Sequence, residues 1–333
     1  MKRIYSLTLI LALILALTAC GSHQTAVPVK MLIVPHFEIG ELSGDFAGEA
    51  QLFYDKYMTD CQTYDIGGGY TLYYDAADAI AMCITGSGKV NATACLTAIL
   101  GDSRFDFTDA YIMSVGCAGG AIEYTNLGDV CLATDTYDYD MGHTCVEYGE
   151  DSEPTRWYHD TGFDDVDAKE LNLDLINNLY AQVKDTALET TELSQSIYEK
   201  NFGQEDWVTR DPQVILGSCV TSDCYWKGYY GHDTANQICE YYNSSNPYAM
   251  TEMESIAIAN VADKYGMLDR LIIVEGCVNA DVFLDGNSPA ISWDETAKFS
   301  QEVQSSNSET LDIFEPAMRN VLAVSSRIID ILL

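Results

Sequence analysis

The alternation of short apolar runs with helical patterns is the feature that most constrains how this chain folds. Five runs are typical of buried strands, at residues 30–34, 110–115, 129–134, 214–217 and 271–276. Two more runs, at residues 70–74 and 79–85, predict paired strands. Helical patterns cover residues 46–57, 89–100, 168–201, 253–265 and 317–332. Strands that alternate with helices predict an α/β fold, a three-layer sandwich around a mixed or mostly parallel central sheet.

The helical patterns also predict which surfaces are buried. Residues 89–100 are apolar on nearly every side, so we expect this helix to be buried all round. The segment 168–201 places leucine and valine side chains at helical spacing on one face, and these are Leu171, Leu175, Leu179 and Val183. No internal repeat or low-complexity linker interrupts the pattern, so residues 30–333 are predicted to form one domain.

The N-terminus has the pattern of an export signal. Lys2 and Arg3 precede an apolar run over residues 4–17. The sequence LTAC at residues 17–20 resembles the lipobox at which bacterial lipoproteins are cleaved and lipidated on the cysteine. An ordinary membrane-spanning anchor is the alternative, but the apolar run is short for a span.

This N-terminus predicts the location of the mature protein. Residues 1–19 would be removed, Cys20 would carry the lipid, and residues 20–29 would form a tether. We therefore expect an extracytoplasmic lipoprotein, in the periplasm or on the cell surface, that meets the membrane only through its lipid. No later segment approaches 18 uninterrupted apolar residues, so the body of the chain is not expected to form a helical channel.

The charge of the chain excludes one broad class of partner. Without Lys2 and Arg3, 15 basic and 51 acidic residues remain, a formal charge of −36. Such a surface repels nucleic acid and anionic membranes. The acidic residues are spread along the chain, which indicates a solubility function and not an acidic interaction tail.

The cysteines predict disulfides and disfavour a metal site. Ten cysteines remain besides Cys20, and outside the cytoplasm some of them should pair. Cys61 and Cys83 flank the predicted hairpin, and Cys219 and Cys239 flank a loop rich in tyrosine and glycine, so we predict these two disulfides. No spacing of cysteine or histidine suits zinc, and we expect neither a metal nor a cofactor.

Two glycine-rich turns follow predicted strands. Gly86 begins a Gly-Ser-Gly turn that leads into a helix, where backbone N–H groups can hold a polar ligand. The second turn covers residues 116–120, at a strand end where open α/β sheets bind ligands. Neither turn matches a dinucleotide fingerprint or a P-loop. The alternative for each is a tight turn with a purely structural role.

The sequence TEMESIAIAN at residues 251–260 places two carboxylates at a helix start. The helix dipole favours one carboxylate there, which is the structural interpretation. Two carboxylates are more than the helix dipole requires. A carboxylate also accepts two hydroxyl hydrogen bonds, so Glu252 or Glu254 is a candidate ligand for a ribose diol.

Four motifs together resemble the nucleoside phosphorylase and nucleosidase superfamily. They are GSGKVNATA, SVGCAGGAIEYTNLGDVCLATDTYDYD, VTSDCYW and EMESIAIANVADKYG, in that order. The resemblance covers residues 30–281 and is greatest to the purine nucleoside permease family, whose members share the TSDCYW sequence and the spaced cysteines. It implies a nucleoside phosphorylase-like fold, a purine nucleoside as ligand and, as in relatives, a possible homodimer.

The resemblance also implies roles for individual residues. Glu254 would bind the ribose diol, with Met253 packed on the sugar and Glu252 a lesser contact. The residues that would line the base and sugar cleft through their backbone are Cys117, Ala118 and Gly119, together with Gly86 at the first turn. Tyr225 would stack on the base, with a core tyrosine as the alternative, and Trp226 would offer backbone contacts to the purine edge.

The position of the proton donor departs from the nucleosidase pattern. The resemblance places Asn279 where nucleosidases carry an aspartate, with Asp281 two positions further on. An asparagine can hydrogen-bond a 6-oxopurine but is not a general acid. A carboxylate that activates water would be Glu38 or Glu41, and position 41 fits better. Only Lys89 lies near the glycine turns, so phosphorolysis is disfavoured because a buried phosphate needs cationic partners.

Three functions are compatible with this sequence. The first is a lipid-anchored nucleoside-binding protein that supports uptake by delivering purine nucleoside to a separate transporter. The second is an extracytoplasmic nucleosidase in which Glu41, Glu254 and Asn279 act on the glycosidic bond. The third is a structural lipoprotein without a ligand site, which the presence of Glu254 and Tyr225 argues against. The sequence favours the first.

Overall fold

The computed structural model describes residues 25–142, 166–190, 210–282 and 307–333, with side chains of the last helix from Phe314 onward. The predicted signal sequence and Cys20 lie outside these residues. The folded part begins before residue 30, because Val27–Pro28 pairs with Phe105–Asp106. Part of the predicted tether is therefore attached to the domain.

Strands and helices alternate along the described chain. The strands are β1 (Val27–Pro28), β2 (Met31–Val34), β3 (Gln62–Gly67), β4 (Tyr70–Asp75), β5 (Ile80–Met82), β6 (Phe105–Asp106), β7 (Tyr111–Gly120), β8 (Val130–Asp138), β9 (Ala168–Glu170), β10 (Val214–Thr221), β11 (Tyr248–Glu252) and β12 (Leu271–Ala280). The helices are α1 (Gln51–Tyr57), α2 (Lys89–Leu100), α3 (Leu173–Val183), α4 (Tyr229–Tyr241), α5 (Ser255–Lys264) and α6 (Asn307–Leu332), with a short 3₁₀ turn at Leu268–Arg270.

The central sheet is mixed, as predicted. Its strand order is β11-β10-β8-β12-β7-β2-β5-β4-β3, and β9 pairs with β8. Strands β5, β2, β7 and β12 run parallel to one another, whereas β12 meets β8 in antiparallel orientation. The predicted pair of strands at residues 70–74 and 79–85 is confirmed as antiparallel β4 and β5.

Strand β11 has two partners, which closes one half of the sheet. It runs parallel to β10 and also pairs in antiparallel orientation with β7, where Met250 faces Gly120 and Thr251 faces Gly119. Five strands, β7, β12, β8, β10 and β11, therefore form a closed ring. The carboxyl ends of β7 and β11 meet at one rim of this ring.

The helices form two groups around the sheet. Helix α2 packs against α5, and α6 packs against α1 and α3. Gly276 of β12 lets α6 approach closely, because a Cβ at this position would lie 2.6 Å from Cγ2 of Val321. The strands at the centre consist mostly of buried apolar residues, with Asp135 of β8 and Glu275 of β12 among the buried polar exceptions. In the described part of the chain, no helix combines the length and the apolar character needed to cross a membrane.

Two helix predictions need correction. Helix α2 is not buried all round: Ala92, Cys95, Leu96 and Ile99 form its buried face, and Val90 is 76% exposed. The predicted long helix from residue 168 begins instead with strand β9, which pairs with β8, so that helix α3 starts only at Leu173. Its face of Ile176, Leu179 and Val183 is buried, but Leu175 is only half-buried.

The predicted disulfides are wrong. Cys61, Cys83, Cys219 and Cys239 are all free thiols. Strand β4 lies between β3 and β5, and so it separates Cys61 from Cys83 by two strand spacings, about 10 Å, which is too far for a disulfide.

The thiols of Cys83 and Cys219 have other neighbours. Cys83 contacts Cys95 of α2, and Cys219 contacts Cys131 of the adjacent strand β8. Cys239 belongs to a separate apolar cluster under α4. Sequence proximity across a loop therefore did not predict spatial proximity. Among the described residues, no group of histidine, cysteine, aspartate and glutamate side chains is arranged to hold a metal ion.

Candidate functional site

Four buried glutamates come together around strands β7, β11 and β12. They are Glu49, Glu252, Glu254 and Glu275, and each is at least 94% buried. Burial raises the pKa of every one of them, and neighbouring glutamates add to this rise for Glu49, Glu252 and Glu275. We call this group the glutamate cluster. In the described ranges, no lysine or arginine forms an ion pair with any of its members.

Glu254 connects the two motifs that sequence analysis selected. Its Oε1 accepts a hydrogen bond of 2.6 Å from the backbone N–H of Gly88, in the turn before α2. It stands at the N-cap of α5 with a φ of −132°. Burial raises the pKa of Glu254 to about 7, although the N–H of Gly88 opposes this rise. The residue is therefore poised between the acid and the carboxylate near neutral pH.

Glu252 has a different task. Its Oε2 accepts hydrogen bonds of 2.6 Å from the backbone N–H groups of Glu254 and Ser255, and its Oε1 accepts one from the hydroxyl of Thr221. The two N–H groups lie at the start of α5, so Glu252 satisfies helix N–H groups that would otherwise lack partners. The structural interpretation of a carboxylate at this helix start thus applies to Glu252.

Glu49 is a member of the cluster that sequence reasoning missed. Its Oε2 accepts a hydrogen bond of 2.8 Å from the N–H of His36, and its Oε1 accepts one of 2.9 Å from the N–H of Cys117. Burial and the nearby Glu254 raise the pKa of Glu49 to about 8, against the opposing effect of these N–H groups. It lies just before α1, and no sequence signal distinguishes it from Glu38 and Glu41.

Glu275 is buried without a hydrogen-bond partner on either carboxylate oxygen. Its Oε2 lies 2.9 Å from where a Cβ on Gly116 would stand, and Oε1 of Glu49 lies 3.0 Å from the same point. The two carboxyl groups therefore meet over Gly116, and the missing side chain makes room for them. Burial and the neighbouring glutamates raise the pKa of Glu275 well above its usual range, which favours its neutral acid form.

His36 supports the cluster as a neutral residue. Its Nδ1 lies 2.9 Å from the hydroxyl of Thr85, and its Nε2 lies 2.9 Å from the hydroxyl of Ser114. Burial lowers the pKa of His36 to about 4. It therefore fixes the geometry around Glu49 without compensating the charge of the cluster.

The structure does not bring Glu41 to the cluster. Its side chain is exposed, in a loop where its N–H donates to Asp45. Glu38 accepts hydrogen bonds from Gly48, Ala50 and Gln51, and so it caps the start of α1. Glu49 is buried because this loop folds back onto β7. Burial is therefore what distinguishes Glu49 from Glu38 and Glu41.

Other residues selected from the sequence lie along the rim next to the cluster. Cys117, Ala118 and Gly119 end strand β7, and Gly119 pairs with Asn279 of β12. The Asn279 side chain is half-buried, and its Nδ2 donates to the carbonyl oxygen of Ala280 at 3.0 Å. Asn279 therefore lies beside the end of β7. The glycine turn predicted at residues 116–120 is instead the last part of this strand.

The two aromatic residues after β10 differ in exposure. Tyr225 is 69% exposed, whereas Trp226 is half-buried. The Trp226 ring stacks on Tyr139 with ring centres 5.2 Å apart, and it packs against Gly231, where a Cβ would lie only 2.2 Å from the ring. Tyr225 thus has a free ring face, and Trp226 has a packing function.

A second network lies directly beyond Asn279. His232 of α4 is 3% exposed, and its Nδ1 lies 2.7 Å from Oδ2 of Asp281. Its Nε2 lies 3.0 Å from Oε2 of Glu123, and the hydroxyl of Tyr248 donates to Asp281 at 2.9 Å. Burial lowers the pKa of His232, but its two carboxylate partners outweigh this and raise the pKa to about 10. His232 is therefore a cation at neutral pH.

A third group of charges surrounds Lys89 at the start of α2. The Lys89 ammonium lies 2.7 Å from Asp138 and 2.9 Å from Asp140. The backbone N–H of Lys89 donates to Oδ1 of Asp223 at 2.7 Å. Lys89 is thus fully engaged by carboxylates and lies next to Gly88, the partner of Glu254.

The chain matches a sequence family over nearly all of its folded part. The profile described as "Purine nucleoside permease (NUP)" matches residues 28–333. A probable purine nucleoside permease of Schizosaccharomyces pombe is 26% identical over 205 residues, 56% of this chain and 58% of that protein. A purine nucleoside permease of Candida albicans is 26% identical over 220 residues, 59% of this chain and 52% of that protein. The chain spans about half the length of these curated relatives.

Solved structures share the fold. The 5′-methylthioadenosine/S-adenosylhomocysteine nucleosidase of Neisseria meningitidis has a TM-score of 0.55 and 16% identity, with 90% of this chain and 97% of that chain covered. The nucleosidase of Helicobacter pylori has a TM-score of 0.54 and 13% identity, with 90% and 99% covered. These values establish an α/β fold with a mixed central sheet, similar to that of the nucleosidases. The profile match over residues 28–333 shows that the chain belongs to the purine nucleoside permease family.

Proposed function

We propose that this protein binds purine nucleosides and supports their uptake. The observation that carries the proposal is Glu254, a buried carboxylate at the start of α5 that reaches the glycine turn at Gly88. One of its oxygens is committed to that turn, and the other is positioned to accept hydrogen bonds from a ribose diol. The rim of β7 next to it offers backbone groups to the same ligand.

The remaining contacts follow from the family resemblance. Met253 packs on the sugar, and the exposed ring of Tyr225 stacks on the purine. Asn279 offers an amide to the purine edge, next to Gly119. Glu252 contributes indirectly, since it fixes the start of the helix that carries Glu254.

The proposed setting is outside the cytoplasm. The N-terminal sequence predicts a lipid on Cys20, which would hold the domain at a membrane surface. In that setting the protein would deliver nucleoside to a separate transporter. The exposed apolar residues on α2, such as Val90, offer a surface where a second copy would pack.

A second candidate function is hydrolysis of the N-glycosidic bond. The environment of Glu49 favours hydrolysis. A buried carboxyl group with a pKa raised to about 8, held beside the end of β7, suits a general base. In this version Glu49, not Glu41, activates water, and Glu254 stabilises the ribose. Asn279 would assist the leaving base only through a hydrogen bond.

One experiment separates these functions. Purified mature protein is titrated with inosine and adenosine by calorimetry, and free base is followed by chromatography without phosphate. Binding without release supports the uptake function. We expect Glu254→Gln to weaken inosine binding by about 10- to 100-fold, the effect of losing a hydrogen bond to a charged group.

Control variants distinguish Glu49 from Glu41, which lie in the same loop before α1. Release of free base that disappears in Glu49→Gln but persists in Glu41→Gln would establish hydrolysis with Glu49 as base. Glu41→Gln is the matched control, because Glu41 is exposed. Wild-type protein that neither binds nor cleaves nucleosides would contradict both functions.

A further inference from the structure

The backbone N–H groups at the start of α2 are already occupied by carboxylates of the protein itself. The N–H of Gly88 donates to Glu254 at 2.6 Å, and the N–H of Lys89 donates to Asp223 at 2.7 Å. A helix N-terminus with free N–H groups attracts phosphate, because its donors and its dipole favour a negative charge. Here the first two donors have an anionic partner, so these two N–H groups are not available to a ligand phosphate.

The cation beside this helix start is neutralised as well. Three carboxylates, those of Asp138, Asp140 and Asp223, lie within 4.0 Å of the Lys89 ammonium. Burial disfavours the ammonium, but Asp138 and Asp140 outweigh that effect and raise the pKa of Lys89. Three negative charges around one positive charge leave a local excess of negative charge. This excess would repel a phosphate that approached Lys89.

Asp223 is held in this position by several contacts. Its own N–H donates to Oδ2 of Asp140 at 2.7 Å, and the hydroxyl of Ser222 donates to Oδ1 of Asp140 at 2.8 Å. Gly88 allows the approach, since a Cβ there would lie 3.0 Å from Oδ1 of Asp223. Asp223, Lys89 and Asp138 line a cavity of about 760 Å³ that runs along α2 and α5. The carboxylate of Asp223 thus faces open space next to the start of α2.

A second group of backbone N–H donors near the cluster also donates to a carboxylate of the protein. Glu49 accepts from the N–H groups of His36, Phe37 and Cys117. These N–H groups come from the residues after β2 and from Cys117 of β7. Without Glu49 they would form an anion-binding concavity. A phosphate therefore finds a carboxylate at both places where the backbone would otherwise bind it.

We infer that Asp223 determines the class of ligand: it is a built-in anion that makes the site accept nucleosides and reject their phosphate esters. This inference rests on the proposed nucleoside binding and adds its selectivity. The contacts above support this role, because Asp223 removes a helix N–H and part of the charge of Lys89 from any phosphate on the ligand.

The test compares Asp223→Ala with Asp174→Ala. Asp174 is a matched control, since it is an exposed aspartate in the first turn of α3, away from the glutamate cluster. Calorimetry at fixed ionic strength gives the affinities of inosine and inosine 5′-monophosphate. A second measurement compares the melting temperature in sodium phosphate and in sodium chloride of equal ionic strength, and it requires no nucleoside.

We expect wild-type protein and Asp174→Ala to prefer inosine over its monophosphate by about 10-fold or more. In Asp223→Ala this ratio should fall by about 5-fold, mainly through tighter binding of the monophosphate. Phosphate should raise the melting temperature of Asp223→Ala and leave that of the wild type unchanged.

Two results would overturn the inference. One is a wild-type protein that binds the monophosphate as tightly as inosine. The other is an Asp223→Ala variant with an unchanged ratio and no response to phosphate. If inosine itself fails to bind, the proposed function fails, and the melting temperatures in phosphate still decide whether Asp223 excludes anions.

Discussion

Nδ1 of His232 lies 2.7 Å from Oδ2 of Asp281, and this buried contact joins helix α4 to the end of strand β12. The backbone strengthens the connection, since the N–H of Gly228 donates to the carbonyl oxygen of Asp281 at 2.7 Å. Asn279 lies two residues before Asp281. The pair therefore holds the part of the rim at which the purine is proposed to bind.

Replacing His232 by glutamine should destabilise the protein in a pH-dependent way. The folded state raises the pKa of His232 to about 10 from 6.5, so the stabilisation is complete below pH 6.5 and is lost as the pH rises toward 10. We expect His232→Gln to lower the free energy of unfolding by about 3 kcal/mol at pH 6. Urea denaturation at pH 6, 8 and 9.5 should show this difference shrinking.

The control for this prediction is Asp233→Asn, an exposed neighbour on the same helix. It changes the net charge by one but leaves the pair intact. A difference between His232→Gln and wild type that stayed constant from pH 6 to 9.5 would show that His232 contributes packing and not charge.

Replacing Glu49 by glutamine should change how the free energy of unfolding depends on pH between 4.5 and 8. The pKa of Glu49 is about 8 in the folded state and 4.5 in the unfolded state, so the folded state loses stability as the pH rises from 4.5 to 8. Glu49→Gln removes this loss. Its free energy of unfolding relative to wild type should improve by on the order of 2 kcal/mol between pH 5 and pH 9. Glu41→Gln, at the exposed site, should show no such trend.

Replacing Gly116 by alanine should disturb the two carboxyl groups that meet there. The new Cβ would lie 2.9 Å from Glu275 and 3.0 Å from Glu49. We expect a loss of about 1–3 kcal/mol in the free energy of unfolding, as for other overpacked interiors. Adding Glu275→Ala should recover much of it. If the losses of the two single variants simply add in the double variant, Gly116 and Glu275 do not share this space.

Glu252 and Glu254 should separate into a structural and a ligand-binding residue. Glu252→Gln disrupts the contacts with Thr221 and with the start of α5, so it should cost about 1–2 kcal/mol in unfolding free energy. Glu254→Gln should weaken inosine binding more than Glu252→Gln does. Calorimetry and urea denaturation on both variants provide the comparison, and equal losses of affinity would contradict the assignment.

Local sequence was sufficient for much of the fold and for half of the cluster. The Gly-Ser-Gly turn and helix α2 follow from residues within one short segment, and so does the start of α5 at Glu254. The resemblance assigned both segments to one cleft, and a hydrogen bond between Gly88 and Glu254 joins them. Such features depend on turn chemistry and apolar spacing, which a single sequence displays.

The rest depends on contacts between distant parts of the chain. Glu49 and Glu41 lie in the same loop and look alike in sequence, but only the path of that loop buries Glu49. Glu275 lies within an apolar strand and belongs to no motif that predicts a function. The disulfide predictions failed for the same reason, because β4 comes between the two cysteines of the first predicted pair.

The closed ring of five strands has a consequence for biosynthesis. Its final pairing joins Gly120 to Met250, 130 positions apart in the chain. Contacts of such long range form late, since much of the chain must be ordered before they repay their entropy cost. A nascent chain that has not yet reached Tyr248 lacks the closing strand, and it also lacks Glu254, the proposed ribose-binding residue. C-terminal truncations before this point are therefore expected to leave no nucleoside-binding product.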